Sequence, residues 1–416
     1  MAADPGSRVF EALDRLAGTA TTLGLALSGG GDSTALMHLA ADWARGRAPR
    51  VALKAATVDH RLRPESGGEA AAAAAAAGRL GIPHATLVWE DGPEPSGNLA
   101  AQARGARLRL LGDWAARERL DAVLLGHTRD DVAETMLMRL GRGAGIDGLA
   151  AMAERREAAG AVWLRPLLGT GRAELRDWLA AFGIAWIEDP TNEDVTRDRA
   201  RIRRAVATLG LDPARIADSA RHLATVRRTL GRIVWQEART ATVTLGAVAI
   251  DRARFDGLLP ELRRVLLLAL VRTVMAGGYP PRHAAQGAVL DALARGGRAT
   301  LGGTLVTLSE RELSVIREPA AAERAAPLTA DGVWDGRWRI EDLPSGCEIR
   351  AFGLENAARL QGRRPATELA ATTPGLWRGG SPVGGPGLSG LPPEAGGARA
   401  TPLCSPELLR RLLLGD

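Results

Sequence analysis

The sequence predicts an α/β protein built on a doubly wound parallel sheet, followed by a mainly helical domain and a small β-rich C-terminal domain. Three observations carry this reading. Short apolar runs alternate with amphipathic or alanine-rich segments through the first 200 residues, as in successive strand–helix units. The first of these runs, Leu23 to Leu27, leads through the turn Ser28-Gly-Gly-Gly-Asp-Ser33 into a helical pattern with Ala35, Leu36, Leu39 and Ala40 on one face. Ser28, Asp59 and His127 all stand at the carboxyl ends of strands, where open α/β sheets bind ligands.

Taken in order, Ser7 is placed to cap a first helix carrying Val9, Leu13 and Leu16. Val51 to Val58 reads as a second strand, ending at Asp59-His60-Arg61. Gly67 to Arg79 contains the alanine run Ala70 to Ala77, and alanine's helix propensity makes this a packed helix rather than a linker. A third strand, Ala85 to Trp89, follows Pro83, and a turn-rich loop runs from Asp91 to Gly97. Asn98 to Arg119 is again helical, and Ala122 to Gly126 is a fourth strand. Trp163 to Leu168 and Ala185 to Ile187 flank a helix from Arg172 to Phe182 and offer one more strand.

The first domain is placed at residues 1–200. The second, 201–318, has Asp212-Pro213 as cap and first residue of a helix reaching Ala238. Helices over Leu258 to Ala276 and His283 to Ala294 follow, then a strand-like alternation from Ala299 to Ile316 broken at Gly302-Gly303. Pro319 to Pro327 reads as a linker. The third domain, 328–416, is expected to be β-rich, with short strands at Trp338 to Ile340 and Glu348 to Ala351 and a mobile stretch from Gly379 to Gly397.

With 416 residues, 46% apolar and 25% charged, the chain has the composition of a soluble protein of two or three domains. No apolar run approaches the roughly 18 residues of a membrane span, so no membrane partner is expected. The amino terminus lacks the basic and apolar regions of a secretory signal, and a cytoplasmic location is expected. Two distant cysteines, Cys347 and Cys404, argue against a disulfide framework, a zinc site or an iron–sulfur cluster. The net charge of +6 is arginine-based, Lys54 being the sole lysine; it fits an anionic partner and a GC-rich coding bias equally well.

The glycine-rich turn allows positive φ and close approach of a ligand, and the helix behind it aims free N–H groups and its positive dipole end into the turn. That suits a phosphate. The spacing is not that of a Walker A loop, and a capping turn is the plainer reading of the same residues. A second motif, Gly126-His-Thr-Arg-Asp-Asp-Val-Ala-Glu-Thr135, places Asp131 and Glu134 on one face of a helix if Asp131 opens it, with Asp130 at its N-terminus. Such carboxylates can hold Mg²⁺ against phosphates or act as bases, or merely favour the helix dipole. Arg104, Arg107, Arg139, Arg142 and Arg165 are candidate phosphate contacts on ATP or tRNA, although for each alone a solvated charge or ion-pair member is the plainer reading. From Arg199 to Arg232 nine arginines, Arg203, Arg227 and Arg228 among them, face only Asp212 and Asp218, which fits a helical surface tracking an RNA backbone. With one tyrosine and four phenylalanines, stacking platforms are scarce, and recognition by shape and arginine is expected.

Ser28 to Ser33 resembles the S-G-G-x-D-S signature of the PP-loop ATP pyrophosphatases, whose fold is an adenine nucleotide alpha hydrolase-like parallel sheet. Gly126 to Thr135, with the following Arg142-Gly-Ala-Gly-Ile-Asp-Gly-Leu-Ala-Ala-Met152, resembles two segments of the tRNA(Ile)-lysidine synthetase family. Further matches follow in order: Val58 to Arg63, Asn98 with Ala103 to Arg107, Arg165 to Leu168, and Glu188 to Asn192 leading to Arg199 through Arg203. Val132, Leu108 and Ala200 depart from the pattern, where glutamine, tyrosine and asparagine are common.

The resemblance implies a ligase that activates the wobble cytidine of tRNA(Ile) bearing a CAU anticodon with ATP, releases pyrophosphate, and transfers free L-lysine to the base as AMP leaves. It implies ATP and Mg²⁺, with Ser28, Gly29, Gly30, Gly31, Asp32, Ser33, Asp59, His60 and His127 around the nucleotide. Asp32, Asp130, Asp131 and Glu134 would carry catalysis, Asp32 or Asp130 toward the metal and Asp131 and Glu134 toward lysine. Arg104, Arg107, Arg142, Arg165, Arg199, Arg203, Arg227 and Arg228 would contact tRNA or lysine, and a homodimer is compatible with the family. A related thiolase is disfavoured by the absent C-x-x-C, and a non-catalytic RNA-binding descendant by the intact carboxylates.

Overall fold

The structure, a computed structural model, describes residues 4–93, 98–188, 198–277, 280–360, 367–385 and 398–415. The Asp189 to Asn192 part of the family-like motif and most of the Gly379 to Gly397 stretch lie outside these residues. Compactness divides the chain into two units, Met1–Ala224 and Thr225–Asp416.

In the first unit, helix α1 (Pro5–Ala17) is capped by Asp4, whose carboxylate accepts the Ser7 N–H at 3.3 Å. The cap therefore precedes Ser7, because Pro5 fits the first helical position. Strands β1 (Thr22–Ala26), β2 (Ala52–Asp59), β3 (His84–Val88) and β4 (Ala122–Leu124) alternate with helices α2 (Gly31–Gly46), α3 (Ser66–Arg79) and α4 (Leu99–Arg117). β1 pairs in parallel with both β2 and β4, and β2 pairs in parallel with β3. Helices α5 (Arg129–Leu140) and α6 (Ile146–Leu149) lead to β5 (Arg155–Ala158) and β6 (Ala161–Leu164). Helices α7 (Arg172–Ala181), α8 (Asp198–Thr208) and α9 (Pro213–Ala238) follow, and the boundary between units falls within α9.

The sheet order is β3-β2-β1-β4-β6-β5. β6 adds the further parallel strand expected near Trp163. β5 is an antiparallel edge strand joined to β6 through Ala159 and Gly160, both at positive φ. Ala185 to Ile187 forms no strand; the Ile187 N–H donates to the Gly29 carbonyl at 2.9 Å, drawing this stretch against the glycine-rich turn.

Both faces of the sheet are covered, as a parallel sheet requires. Leu23 and Leu25 pack with Val9, Leu13, Leu36 and Leu39 on one side, and Ala26 and Val123 with Leu111 and Trp114 on the other. Gly24 makes room for that tryptophan: a Cβ there would meet Leu120 at 2.6 Å and Trp114 at 2.7 Å. Because the winding reverses between β1 and β4, their carboxyl ends open a crevice, the usual ligand position in such sheets.

In the second unit, five antiparallel strands run in the spatial order Thr242–Thr244, Ala247–Asp251, Glu312–Arg317, Thr304–Leu308 and Arg298–Leu301. Helices Pro260–Val274 and His283–Gly296 supply their core, and the last helix, Pro406–Leu414, adds Leu409 and Leu413 to it. Two three-stranded sheets share a second core containing Trp334, Trp338, Ile340, Ile349 and Leu376. The expected linker is partly helical, over Pro319–Glu323, with Ala321 and Ala322 buried. Cys347 and Cys404 are buried free thiols. Among the described residues no helix is long and apolar enough to cross a membrane.

Candidate active site

The crevice is built around the turn between β1 and α2. Gly29 has φ +79°, and a Cβ on it would lie 2.6 Å from Ile187, so conformation and space both demand glycine. The turn is closed by Ser33, whose Oγ lies 3.0 Å from Ser28 Oγ and donates to the Gly30 carbonyl at 3.0 Å. Thr34 Oγ1 donates to the Gly29 carbonyl at 3.1 Å. Gly126, just beyond β4, lets the backbone run against α2: a Cβ there would meet Ser33 Cα at 3.1 Å.

Helix α5 begins at Arg129, two residues earlier than a helix opened by Asp131, with Thr128 as cap. Asp131 is the third helical residue and completes a capping box: its Oδ2 accepts the Thr128 N–H at 2.9 Å and the Thr128 hydroxyl at 3.1 Å. Its other oxygen faces the crevice, so one carboxylate both caps the helix and lines the cavity. Asp131 and Glu134 are buried.

Sequence reasoning missed the residue that joins these acids, Arg172. Its Nε donates to Asp32 Oδ2 at 3.0 Å, Nη1 to Glu134 Oε1 at 3.0 Å and Nη2 to Asp131 Oδ1 at 3.3 Å. Its backbone N–H donates to Asp130 Oδ2 at 2.7 Å. Glu134 also accepts from Arg203 Nε at 2.6 Å, and Arg199 stands 3.9 Å from Asp131. A signal was present: Arg172 is the first residue of α7, where a cation opposes the helix dipole by about 0.3–1 kcal/mol. Charge-assisted hydrogen bonds, each worth about 1.5–3 kcal/mol, outweigh that penalty.

The environments of neighbouring acids diverge. Burial, with Asp131 and Asp130 nearby, raises the Asp32 pKa despite Arg172. Burial would also raise that of Asp131, but Arg172 and the Thr128 N–H prevail and hold it below the ordinary aspartate value. Burial, reinforced by Arg165, lowers the His127 pKa to about 4. Arg165 Nε donates to His127 Nδ1 at 3.2 Å, which leaves the proton of the neutral ring on Nε2. Arg165 is itself buried, its pKa lowered to about 10 by desolvation, and Nη1 donates to the Ala153 carbonyl at 2.7 Å. It stands behind His127 rather than on a surface open to RNA.

Two adjoining cavities result. One, about 290 Å³, is lined by the turn residues Ser28 and Gly30 to Ser33 with His127, Asp131, Arg172, Arg199 and Arg203. The other, about 400 Å³, lies over the end of β2 against Thr57, Val58, His60, Leu62, Leu99 and Leu111. Ser28 and Arg107 border both. Desolvation lowers the Arg107 pKa, and among the described residues it has no hydrogen-bonded or ionic partner. His60 stacks edge-on with Trp89 at 5.8 Å, and its buried Nδ1 has no partner. Asp59 instead serves the turn after β2, accepting the Arg61 N–H at 2.9 Å.

The remaining predicted contacts lie elsewhere. Arg104 is exposed on α4, and Arg142 pairs with Asp198 at 2.6 Å. In the arginine-rich run, Arg203 turns inward to Glu134, Arg201 pairs with Asp198, and Arg221 pairs with Asp218. Arg228, exposed in the second unit, donates to Thr225 Oγ1 at 3.3 Å; Arg227 is half-buried there. Of the departures from the family-like pattern, Val132 is buried with Leu168, Ala217 and Ala220, Ala200 is buried on α8, and Leu108 is exposed.

Among the described residues no group of three or more His, Cys, Asp or Glu side chains forms a metal cage. One donor is nonetheless available: Asp32 Oδ1 is buried without a partner, facing the turn that suits phosphate. Mg²⁺ typically needs one or two carboxylates and takes its other ligands from phosphates and water, so this donor set fits it.

The PP-loop domain family matches residues 7–209. A tRNA(Ile)-lysidine synthase from Ruegeria pomeroyi is 45% identical over 379 residues, covering 89% of each chain. One from Methylobacterium nodulans is 41% identical over 330 residues, covering 74% of this chain and 94% of its own. Among solved structures, the U34-tRNA thiolase NcsA from Methanococcus maripaludis aligns with 53% of this chain and 77% of its own at 18% identity and a TM-score of 0.47, a likeness too loose to bear on function. Kinship at that identity, over nearly the whole length of both chains, decides the matter: the chain belongs to the tRNA(Ile)-lysidine synthase family.

Proposed function

We propose that this protein ligates free L-lysine to the wobble cytidine of tRNA(Ile) bearing a CAU anticodon, consuming ATP and releasing AMP and pyrophosphate. The observation that supports this reading most is that the glycine-rich turn and the carboxylates of Asp32 and Asp131 open on one cavity, with Glu134 joined to them through Arg172, in a chain of the lysidine synthase family.

In the first step the cytosine 2-carbonyl oxygen attacks the α-phosphorus of ATP, a phosphorus–oxygen bond forms to the base, and pyrophosphate leaves. The cavity over β2, with His60 at its wall braced by Trp89, takes the adenosine, and Arg107, uncommitted and desolvated, meets the phosphates. Backbone N–H groups of the turn and the α2 dipole stabilise the departing charge. Asp32 and Asp130 would hold Mg²⁺, which when bound would neutralise phosphate charge. In the second step the side-chain amine of lysine attacks C2 of the adenylated base and AMP departs. Only the unprotonated amine is a nucleophile. Asp131, held ionised, fits the role of holding the ammonium, and Glu134 that of accepting its proton. His127, neutral with Nε2–H as donor, orients the AMP phosphate.

We further assign residues 1–200 to catalysis, 201–318 to tRNA contact and 328–416 to a small accessory domain, with Arg227 and Arg228 on the RNA-facing surface and a cytoplasmic location. The test is incorporation of labelled lysine into a CAU-anticodon tRNA(Ile) transcript, with pyrophosphate followed in the same tube. Lysine-dependent label with one pyrophosphate per lysine is expected. Pyrophosphate without label would make lysine the wrong nucleophile, and neither signal would refute the reading.

A further inference from the structure

The carboxylates assigned to lysine are already occupied. Asp131 gives Oδ2 to the capping box and Oδ1 to Arg172, and Glu134 gives Oε1 to Arg172 and Arg203. Arg172 fills the position of a ligand cation, each guanidinium nitrogen donating to a different carboxylate. A guanidinium stays charged at any working pH, so it vacates the acids only by moving. An ammonium entering beside it would bring a second cation into a cavity that Arg199 and Arg203 also line.

The same guanidinium reaches the glycine-rich turn through Asp32 and lines the cavity with Ser28, Gly30, Gly31 and Ser33. A polyphosphate bound there presents several negative charges to a side chain that is preorganised for phosphate oxygens. We propose that Arg172 is the acidic cluster's internal counter-cation, seated between Asp131 and Glu134 until the phosphates of ATP draw it away, so that nucleotide binding opens the seat of the incoming amine. This rests on the assignment of lysine and ATP made above. It makes Arg172 a positioning residue that orders the reaction, with nucleotide bound before the amine is admitted. The coupling is reciprocal: if ATP strengthens lysine binding, lysine strengthens ATP binding by the same factor.

The experiment is equilibrium dialysis of labelled L-lysine against the full chain, alone and with Mg²⁺ and α,β-methylene-ATP, which cannot release pyrophosphate. The wild type is expected to bind lysine at least tenfold more tightly with the nucleotide analogue, within the usual range of such couplings. Arg172→Gln is expected to bind lysine tightly without nucleotide and to respond to it by less than twofold. Arg172→Lys, which keeps the charge but cannot bridge three carboxylates, is expected to fall between. Thermal unfolding reports whether Arg172→Gln is folded; if it is not, the wild type and Arg172→Lys decide. Lysine affinity unaffected by nucleotide in the wild type overturns the inference, as does lysine binding at least tenfold weakened in folded Arg172→Gln. If lysidine still forms on the CAU transcript, only this inference has failed; absence of lysine binding, label and pyrophosphate together means that the proposed function has failed.

Discussion

The two cavities at the end of the sheet share Ser28 and Arg107 yet differ in chemistry. Over β2 the apolar Val58, Leu62, Leu99 and Leu111 share the wall with Thr57, His60, Arg63, Ser66 and Glu69, and the buried Nδ1 of His60 has no partner. At the glycine-rich turn Asp32, Asp131, Glu134, Arg172 and Arg203 converge, and nearly every buried carboxylate oxygen is already bonded. A ligand with a flat apolar face and polar edges suits the first, and a polyphosphate or an amine the second. Apolar contact with polar edges suits recognition in one cavity, and counter-charge suits chemistry in the other.

If that division holds, Asp131→Asn should reduce lysine incorporation by about a hundredfold or more, the scale for losing one preorganised electrostatic contact, while ATP binding changes little. Steady-state rates with ATP and lysine varied separately check this, and an equal loss in ATP affinity would erase the distinction.

Stability should depend on pH through His127. Its pKa is lowered to about 4 by burial, so between its ordinary value near 6.5 and about 4 the unfolded chain binds a proton that the folded chain does not. Stability is therefore full above pH 6.5 and lost as pH falls toward 4, by on the order of 2–3 kcal/mol. Denaturant titrations at pH 7 and 5 should show this slope, and His127→Gln should reduce it.

Arg107→Ala should act on both cavities, raising the KM for ATP about ten- to a hundredfold, as expected for losing one or two hydrogen bonds to phosphate. His60→Ala should act on one alone, weakening ATP binding by about threefold to tenfold and leaving the KM for lysine unchanged.

How much of this was legible in the sequence varied with how local the signal was. The turn at Gly29 to Gly31 stands between an apolar run and a helical pattern, so strand, turn and helix announced themselves. The alanine run of α3 and the strands beside it were equally local. The β5–β6 hairpin was not: its turn uses Ala159 at φ +48°, a conformation that alanine seldom adopts, so the usual Asn-Gly or Gly-Gly signal was missing. Asp131 stood out in the sequence as a candidate acid, but its role in the cap depends on Thr128 three residues earlier. Arg172 lies 140 positions from Asp32, a pairing that no spacing rule connects, and only its awkward place at a helix start hinted at it. Arg165 matched a motif and was expected to face a substrate; burial behind His127 is a property of tertiary packing.

The division between recognition and chemistry is tested most directly by following the two half-reactions separately in Glu134→Gln, with a CAU-anticodon transcript, ATP and Mg²⁺. The account predicts pyrophosphate release at close to the wild-type rate in a first turnover, accumulation of adenylated tRNA, and lysine incorporation lowered by about a hundredfold or more. Pyrophosphate release and lysine incorporation falling by the same factor would contradict it, because the acidic cluster would then be acting on ATP rather than on the amine.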